Sequence, residues 1–145
     1  MKALLQRVIH ASVEVDGAEV GRIDRGLLVL LGLDQGDGQP VADRMLDKLL
    51  AYRVFPDDRG RMNLSVADAR GGVLLVSQFT LSADTRKGLR PSFSSALAPV
   101  EAESLYDYTL QQLRQRHPLV AAGVFGADMR VSLTNDGPVT FLLES

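Results

Sequence analysis

Apolar and polar residues alternate or cluster in short runs along the first third of the chain. The alternation over Leu4–Val15 has the period of a half-buried β-strand. Turn residues at both ends of Asp16–Gly26 enclose a second, shorter strand pattern. Leu27–Leu33 is continuously apolar, which is typical of a central strand buried on both faces, and Val73–Ala83 begins in the same way. These patterns predict a sheet with buried strands at its centre.

Two later segments have the periodicity of amphipathic helices. The first follows the loop Asp34–Pro40 and has Pro40 near its first helical position, and the second begins at Pro99. Each presents apolar residues at spacings of three and four, along one helical face. These inner faces comprise Ala42, Met45, Leu46 and Leu49 in the first helix, and Ala102, Leu105, Tyr106, Thr109, Leu110 and Leu113 in the second.

The C-terminal segment has a period of two on both sides of a turn sequence. Residues 129–134 and 139–144 alternate as strands, and Asn135, Asp136 and Gly137 suffice for a tight turn, so the pattern predicts a hairpin. Pro138 then removes a backbone donor where the second strand should begin to pair. Together the patterns predict one α+β domain, residues 1–145, with a large, mostly antiparallel, barrel-like sheet and two main helices.

Composition is that of an ordinary soluble globular protein, with 46% apolar and 23% charged residues. No run of about 18 apolar residues is present, so no membrane-spanning helix is expected. The N-terminal segment reads as a strand and not as a signal peptide. A net charge of −2 argues against a general nucleic-acid binder, although it is compatible with a local basic patch.

The absence of cysteine removes thiolate nucleophiles, disulfides and Cys-ligated zinc, and it fits a cytoplasmic protein. His10 and His117 are the two histidines, and because neither belongs to a metal-ligand motif, no metal cofactor is expected. We interpret His117 as a cation favoured at the end of the second helix, and His10 as a surface or packing residue. The sequence therefore contains no evident Ser-His-Asp triad.

Polar residues follow directly after the buried strand pattern of residues 73–76. Ser77, Gln78 and Thr80 would each cost about 1–3 kcal/mol if they were buried without a hydrogen-bond partner. Either backbone groups at a sheet edge satisfy them, or the strand ends in a pocket where they face a polar ligand or a developing oxyanion. The spacing alone is compatible with both interpretations.

The following loop, Asp84–Ala96, is the densest positive segment of the chain. Arg86, Lys87 and Arg90 fall within five residues of one another, with Phe93 beside them. The loop is either a solvated surface segment or an arm that contacts phosphate groups. Three cations would supply a modest, salt-sensitive share of the binding to a polyanion.

Two segments, "SQFTLSA" at Ser77–Ala83 and "NDGPVT" at Asn135–Thr140, resemble the signature motifs of the D-aminoacyl-tRNA deacylases. The resemblance extends over essentially the whole chain and includes "RPSF" between the two motifs. It implies a homodimer with two active sites at the subunit interface, and no metal or organic cofactor. The implied reaction is hydrolysis of the ester that joins tRNA to a D-amino acid or to glycine.

The resemblance also assigns roles to individual residues. Gly137 and Pro138 are expected to form a cis peptide that one subunit presents to the pocket of its partner, with Asn135 and Ala83 also at the substrate. Because proline has no N–H and glycine has no Cβ, backbone oxygens there can approach the substrate's α-ammonium closely. An L side chain would then meet the backbone, whereas a D side chain would point to solvent. The remaining expected site residues are Ser77, Gln78, Phe79 and Thr80 at the scissile ester, and Arg86, Lys87 and Arg90 at the tRNA.

Thr80 is the obvious nucleophile in this set, but no general base is evidently placed to activate it. We therefore expect Thr80 and backbone N–H groups to orient the ester, while the 2′-hydroxyl of the terminal ribose helps to activate water. Two rival functions stay open on the sequence. One is a dimeric domain that binds aminoacyl-adenosine or RNA without hydrolysis, and the other is a general metal-free esterase.

Overall fold

The computed structural model describes residues 1–145 and contains eight strands and two α-helices, so both predicted helices are confirmed. The strands are β1 (Lys2–Val15), β2 (Ala18–Ile23), β3 (Gly26–Gly32), β4 (Phe55–Pro56), β5 (Met62–Leu64), β6 (Gly72–Ser77), β7 (Val120–Ala122) and β8 (Arg130–Glu144). The helices are α1 (Gln39–Ala51) and α2 (Pro99–Arg116), and a 3-10 helix spans Phe79–Ser82.

The long strand β1 organises the main sheet. One edge of β1 pairs antiparallel with β3 through residues 2–8 and with β2 through residues 11–15, and its other edge pairs antiparallel with β8. β6 then pairs parallel with β3, and β7 pairs parallel with β6. The sheet is therefore mixed, and the expectation of a mostly antiparallel sheet is wrong.

Helical connections explain the parallel pairs. α1 lies in the segment between β3 and β6, and α2 lies between β6 and β7, so each connection returns the chain to the same end of the sheet. The continuously apolar sequences of β3 and β6 fit parallel strands that are covered on both faces. The pattern within a strand thus predicts its burial, but it does not predict the direction of its neighbours.

The two ends of the sheet approach each other and give it the nearly closed, barrel-like shape that was expected. β2 and β7 meet at Gly21, where a Cβ atom would lie 2.5 Å from the carbonyl oxygen of Ala122. One buried cluster fills the inside of this barrel and includes Val8, Val13 and Leu74. A larger cluster lies between the sheet and the two helices.

The prediction of a C-terminal hairpin is wrong, because β8 is one continuous strand that pairs with β1 on both sides of residues 136–139. Thr140 stands opposite Gln6 and Asn135 stands opposite Val8, so residues 136–139 face Arg7 alone. These four residues form a wide bulge that leaves the strand direction unchanged. A hairpin and a bulged strand share the same alternation and the same turn residues, and only the partner strand distinguishes them.

The predicted inner faces of both helices are buried, except that Leu110 is only partly covered. At the end of α2, Arg116 donates a 2.6 Å hydrogen bond to the carboxylate of Asp43 on α1. His117 is 4% exposed, and its Nε2 lies 2.7 Å from the carbonyl oxygen of Gly71. His117 is therefore a buried residue at the end of α2 with a backbone hydrogen-bond partner. Neither helix is long and apolar enough to cross a membrane.

Candidate active site

Strand β6 ends at Ser77, where the chain leaves the sheet and enters the 3-10 helix. Ser77 stands opposite Leu31 of β3, and the N–H of Gln78 donates to the carbonyl oxygen of Leu31 at 2.8 Å. Ser77 and Gln78 are partly exposed, and Phe79 and Thr80 are exposed. Backbone hydrogen bonding therefore continues to the end of the strand. The four predicted residues, Ser77 to Thr80, lie side by side at the surface.

A cavity of about 440 Å³ opens beside this strand end. Its wall is mostly apolar and comes from the ends of β3 and β6, the 3-10 helix, the loop that follows and the start of α2. Ser77 and Gln78 supply its polar side chains, and the rings of Phe79 and Phe93 lie 5.0 Å apart within its wall. Such a cavity suits a flat group with polar atoms at one edge, for example a nucleobase.

Thr80 has one side-chain hydrogen-bond partner, the amide nitrogen of Gln78. No His, Asp or Glu side chain bonds to the Thr80 hydroxyl, so no general base is in place to activate it. Because the Gln78 amide donates, the hydroxyl hydrogen of Thr80 is free to be donated to a substrate oxygen. This arrangement favours an orienting role for Thr80 over a nucleophilic one.

Buried contacts fix the 3-10 helix against the sheet. Ser82 is fully buried, and its hydroxyl donates to the carbonyl oxygen of Leu33 at 3.2 Å. The Lys2 ammonium donates to the carbonyl oxygen of Leu81 at 3.2 Å. A Cβ atom at Gly32 would lie 2.8 Å from the Leu81 side chain, so glycine permits the close approach of strand and helix. The predicted site residues therefore lie on a rigid support.

The basic loop begins after Ala83, which caps the 3-10 helix, and it closes on itself through a backbone bridge at Asp84. Arg86 donates to both carboxylate oxygens of Asp84, at 2.8 and 2.7 Å. These bonds hold the pKa of the Asp84 carboxyl well below its usual range, and they raise the pKa of the Arg86 guanidinium. Lys87 and Arg90 are exposed and belong to no ion pair. Two of the three predicted cations are thus free to bind an anion.

The bulge in β8 presents Gly137 and Pro138 at the surface. Their peptide bond is cis, and the φ angle of Gly137 is 147°, a conformation that L residues rarely adopt. The side chain of Asn135 spans the bulge, since its Oδ1 accepts from the N–H of Val139 at 2.7 Å and its Nδ2 donates to the carbonyl oxygen of Val139 at 3.2 Å. Asn135 therefore holds the shape of the segment that contains Gly137 and Pro138.

Arg7 fixes the same bulge from β1. Its guanidinium donates to the carbonyl oxygen of Asp136 at 2.9 Å and to that of Val54 at 2.7 Å, and its side chain is 11% exposed. Reasoning from the sequence missed Arg7 as a functional residue. The available signal was a cation inside the apolar pattern of the first strand, because arginine is seldom buried without partners.

The two motif segments do not meet within one chain. Ser77 and Ala3 both stand opposite Leu31 of β3, whereas Gly137 lies in the bulge opposite Arg7. Because Ala3 and Arg7 are four residues apart on β1, roughly 13 Å separates the two segments along the strand direction. The three inter-strand steps from β6 to β8 add roughly 14 Å across the sheet. One chain therefore presents the cavity at one end of its sheet and the Gly137–Pro138 segment toward the other.

The chain resembles known proteins along its whole length. A family model described as D-Tyr-tRNA(Tyr) deacylase matches residues 4–144. A D-aminoacyl-tRNA deacylase of Stutzerimonas stutzeri is 64% identical over 145 residues, which is 100% of both chains. Another, of Cellvibrio japonicus, is 60% identical over 144 residues, which is 99% of both chains.

Two solved structures have the same fold. One, described as "c-Myc DNA Unwinding Element Binding Protein", has a TM-score of 0.96 and 44% identity, and the match covers 100% of this chain and 99% of that one. The other, described as "a probable eukaryotic D-amino acid tRNA deacylase", has a TM-score of 0.80 and 18% identity, with 98% of this chain and 97% of that one covered.

Proposed function

The chain belongs to the D-Tyr-tRNA(Tyr) deacylase family, and from the geometry of its cavity and bulge we propose how it recognises and hydrolyses its substrate. It is a D-aminoacyl-tRNA deacylase, a hydrolase that acts on the ester bond between a D-amino acid and tRNA. Water adds to the ester carbonyl carbon, the bond from that carbon to the ribose oxygen breaks, and free D-amino acid and tRNA are released. The observation that carries the proposal is the separation of the cavity at Ser77 from the segment Gly137–Pro138.

We infer that two protomers form a homodimer in which each supplies its Gly137–Pro138 segment to the cavity of the other. The separation across the sheet supports this, because a single chain cannot bring its own segment to its own cavity without breaking the pairing of β8 with β1. β8 also leaves one edge free, since it pairs with β1 alone. The exposed bulge on this edge is therefore available to a second copy of the chain.

The segment Gly137–Pro138 reads the chirality of the amino acid. Backbone carbonyl oxygens of the segment accept hydrogen bonds from the substrate's α-ammonium, while Ser77, Gln78 and Phe79 of the other subunit hold the ester. With these two groups fixed, an L side chain is directed into the backbone and a D side chain is directed to solvent. Because backbone atoms form the barrier, rejection of L substrates does not depend on the type of side chain. Arg7 supports this role by holding the segment in place.

Glycine is a second substrate on this mechanism. It has no side chain that the barrier could reject, so glycine esterified to tRNA fits the same site. The segment thus acts by excluding L side chains and not by gripping D side chains.

The terminal adenosine of the tRNA occupies the apolar cavity, with its base beside Phe79 and Phe93. This places the ribose and the ester near the polar end of the cavity, at Ser77 and Gln78. Thr80 and backbone N–H groups of the 3-10 helix orient the ester and stabilise the oxyanion that develops. The 2′-hydroxyl of the same ribose assists the attacking water, which explains why the protein needs no base at Thr80.

The basic loop contacts phosphates of the acceptor end through Lys87 and Arg90, while Arg86 stiffens the loop through Asp84. Phe93 lies in the same loop and lines the cavity, so the loop is continuous with the site for the terminal nucleotide. The substrate of this reaction arises where tRNA is charged and used, and we therefore assign the protein to the cytoplasm.

The direct test is deacylation of D-Tyr-tRNA, L-Tyr-tRNA and Gly-tRNA at equal concentrations, with and without EDTA. The proposal predicts rapid release from the D and glycyl substrates, little release from the L substrate, and no effect of EDTA. Absence of release from every substrate would identify a binding domain. Comparable release from D-Tyr-tRNA and L-Tyr-tRNA would identify a general esterase and contradict the proposal.

A further inference from the structure

A second cavity, of about 470 Å³, lies at the end of the sheet opposite to Ser77. It is bounded by the turn between β2 and β3 and by the residues that precede β6 and β7. Three of its nine lining residues are arginines, Arg22, Arg25 and Arg70, and one, Asp24, is acidic. In a chain of net charge −2 this is a concentrated positive site, and the reaction at Ser77 does not use it.

The three guanidinium groups are largely uncommitted. Arg25 and Arg70 take part in no ion pair, and Arg22 makes a single one, 3.8 Å from Glu19. All three side chains are exposed. An exposed pair at that distance contributes little stability, so Arg22 can exchange it for a contact with an anion.

Protein contacts hold two of these arginines at the mouth of the cavity. The guanidinium carbon of Arg25 lies 5.3 Å from the centroid of the Phe55 ring, and this contact leaves the N–H groups of Arg25 available for other acceptors. The carbonyl oxygen of Arg25 also accepts from the N–H of Gly72 at 2.9 Å. Arg70 has a φ angle of 54°, and its N–H donates to the carbonyl oxygen of Ala67 at 3.0 Å. Both backbones are therefore fixed before a ligand binds.

We propose that Arg22, Arg25 and Arg70 form a phosphate-binding site for the backbone of the tRNA substrate. Guanidinium groups bind phosphate oxygens through paired N–H donors, and several of them around one cavity match a phosphodiester chain. The inference rests on the proposed function, because it takes tRNA as the ligand. It adds a second contact region, distinct from the basic loop of Lys87 and Arg90.

The position of the arginine site indicates that it contacts the tRNA bound in the partner's cavity and not the tRNA bound in the cavity of its own subunit. Arg25 contacts Phe55, the neighbouring carbonyl of Val54 accepts from Arg7, and Arg7 holds the bulge that contains Gly137. The β3 residue opposite Arg7 is Leu27, two positions after Arg25. Two residues along the strand and two inter-strand steps, from β3 to β1 and from β1 to β8, together place Arg25 about 12 Å from Gly137. When one subunit inserts its bulge into the partner's cavity, its arginines therefore reach the tRNA strand that leaves that cavity. The cavity of the same subunit lies about 20 Å away along the strands.

The first experiment compares the double variant Arg25→Glu/Arg70→Glu with the control Arg44→Glu/Arg114→Glu, which changes net charge equally on exposed faces of α1 and α2. Relative to the control, the double variant should raise KM for D-Tyr-tRNA at least tenfold. Its ratio of kcat/KM on D-Tyr-tRNA to that on the phosphate-free ester D-Tyr-adenosine should fall at least tenfold. The slope of log binding constant against log salt for uncharged tRNA should decrease by roughly 1.4–1.8, as expected for two lost phosphate contacts.

Equal KM values and equal salt slopes in the two variants would overturn the inference. The inference would also be overturned if Arg25→Glu/Arg70→Glu lost affinity for inorganic pyrophosphate but kept the affinity of the control for tRNA. The site would then serve a free phosphate ligand and not tRNA. Failure of the proposed function is separable, since it would appear as a wild-type enzyme that does not release D-Tyr from tRNA. Binding of uncharged tRNA would still decide the present inference in that case.

A second experiment tests whether the arginines act on the partner's tRNA. Heterodimers are prepared from one subunit carrying Ala98→Trp, which fills the first cavity, and one carrying Arg25→Glu/Arg70→Glu. The open cavity then belongs to the charge-reversed subunit and faces the intact arginines of the other subunit. The KM for D-Tyr-tRNA should therefore equal that of a heterodimer in which Ala98→Trp in one subunit is the single change. A KM raised to the level of the double-variant homodimer would show that the arginines serve their own subunit, and would overturn the assignment.

Discussion

The guanidinium of Arg7 donates a 2.9 Å hydrogen bond to the carbonyl oxygen of Asp136, the residue immediately before Gly137. The two residues are 129 positions apart in sequence, and a second bond from Arg7 reaches Val54 at 2.7 Å. This relationship connects the first strand, the segment that follows α1 and the bulge in β8. It makes Arg7 a positioning residue for the segment that reads chirality on the proposed mechanism.

Replacement of Arg7 by alanine should lower the ratio of D-Tyr-tRNA to L-Tyr-tRNA hydrolysis at least tenfold. The reason is that the bulge loses its support from β1, so the backbone barrier moves. Removing the hydrogen bonds to two carbonyl groups should also destabilise the fold by about 1–3 kcal/mol, which urea unfolding measures. Arg7→Lys serves as the matched control because it keeps the positive charge. An ammonium cannot span both carbonyl oxygens as the guanidinium does, so this variant separates the effect of the charge from that of the paired hydrogen bonds. An unchanged D-to-L ratio in the alanine variant would remove Arg7 from chiral selection.

Thr80→Ala should retain measurable turnover of D-Tyr-tRNA, with kcat lowered by no more than the roughly 10²–10³-fold that loss of one oxyanion donor costs. The Thr80 hydroxyl bonds to Gln78 and has no base beside it, so its loss removes an orienting contact and not a nucleophile. By contrast, D-Tyr-tRNA that ends in 2′-deoxyadenosine should be hydrolysed far more slowly by the wild type. Single-turnover rates measure both effects. Complete inactivity of Thr80→Ala, together with normal hydrolysis of the deoxy substrate, would establish Thr80 as the nucleophile.

Charge reversal in the basic loop should raise KM for D-Tyr-tRNA and flatten its dependence on salt. The effect should be larger for Lys87→Glu/Arg90→Glu than for Arg86→Glu, because Arg86 is already bonded to Asp84. Steady-state kinetics between about 50 and 200 mM salt measure the slope, over the range in which phosphate contacts weaken most visibly. If both variants keep the salt dependence of the wild type, the loop does not contact the tRNA.

The alkaline stability of the fold should depend on Tyr106. Burial raises the pKa of its hydroxyl to about 12, with a further contribution from Asp107, and the hydroxyl donates to the carbonyl oxygen of Leu75 at 3.0 Å. Because the folded-state pKa lies above the unfolded value of about 10, this stabilisation is complete below about pH 10 and is lost as the pH rises toward 12. At pH 8 the free energy of unfolding of Tyr106→Phe should be about 1 kcal/mol lower than that of the wild type. This difference in the free energy of unfolding should become smaller above pH 10. A difference in the free energy of unfolding that stays constant from pH 8 to pH 11 would contradict the burial of a neutral Tyr106 hydroxyl.

Sequence patterns predict the features of this protein that depend on neighbouring residues. The burial of Leu27–Leu33, both helices and the contiguous group from Ser77 to Thr80 all follow from local spacing. The direction of β6 and the continuity of β8 do not, because each depends on which strand lies alongside. Arg7 was missed for the same reason, since its partner Asp136 is distant in sequence and close only in the folded sheet.

The central claim is that Gly137–Pro138 of one subunit completes the cavity of its partner, and heterodimers test it directly. A Cβ atom at Gly137 would lie 2.6 Å from the Val139 side chain, so Gly137→Ala displaces the segment, and Ala98→Trp fills the cavity. With the two changes in different subunits, the open cavity faces an intact segment, and D-specific hydrolysis should persist. With both changes in one subunit, the open cavity faces the displaced segment, and the rate on D-Tyr-tRNA should fall at least tenfold. Equal rates in the two arrangements, or the reverse order, would contradict the account.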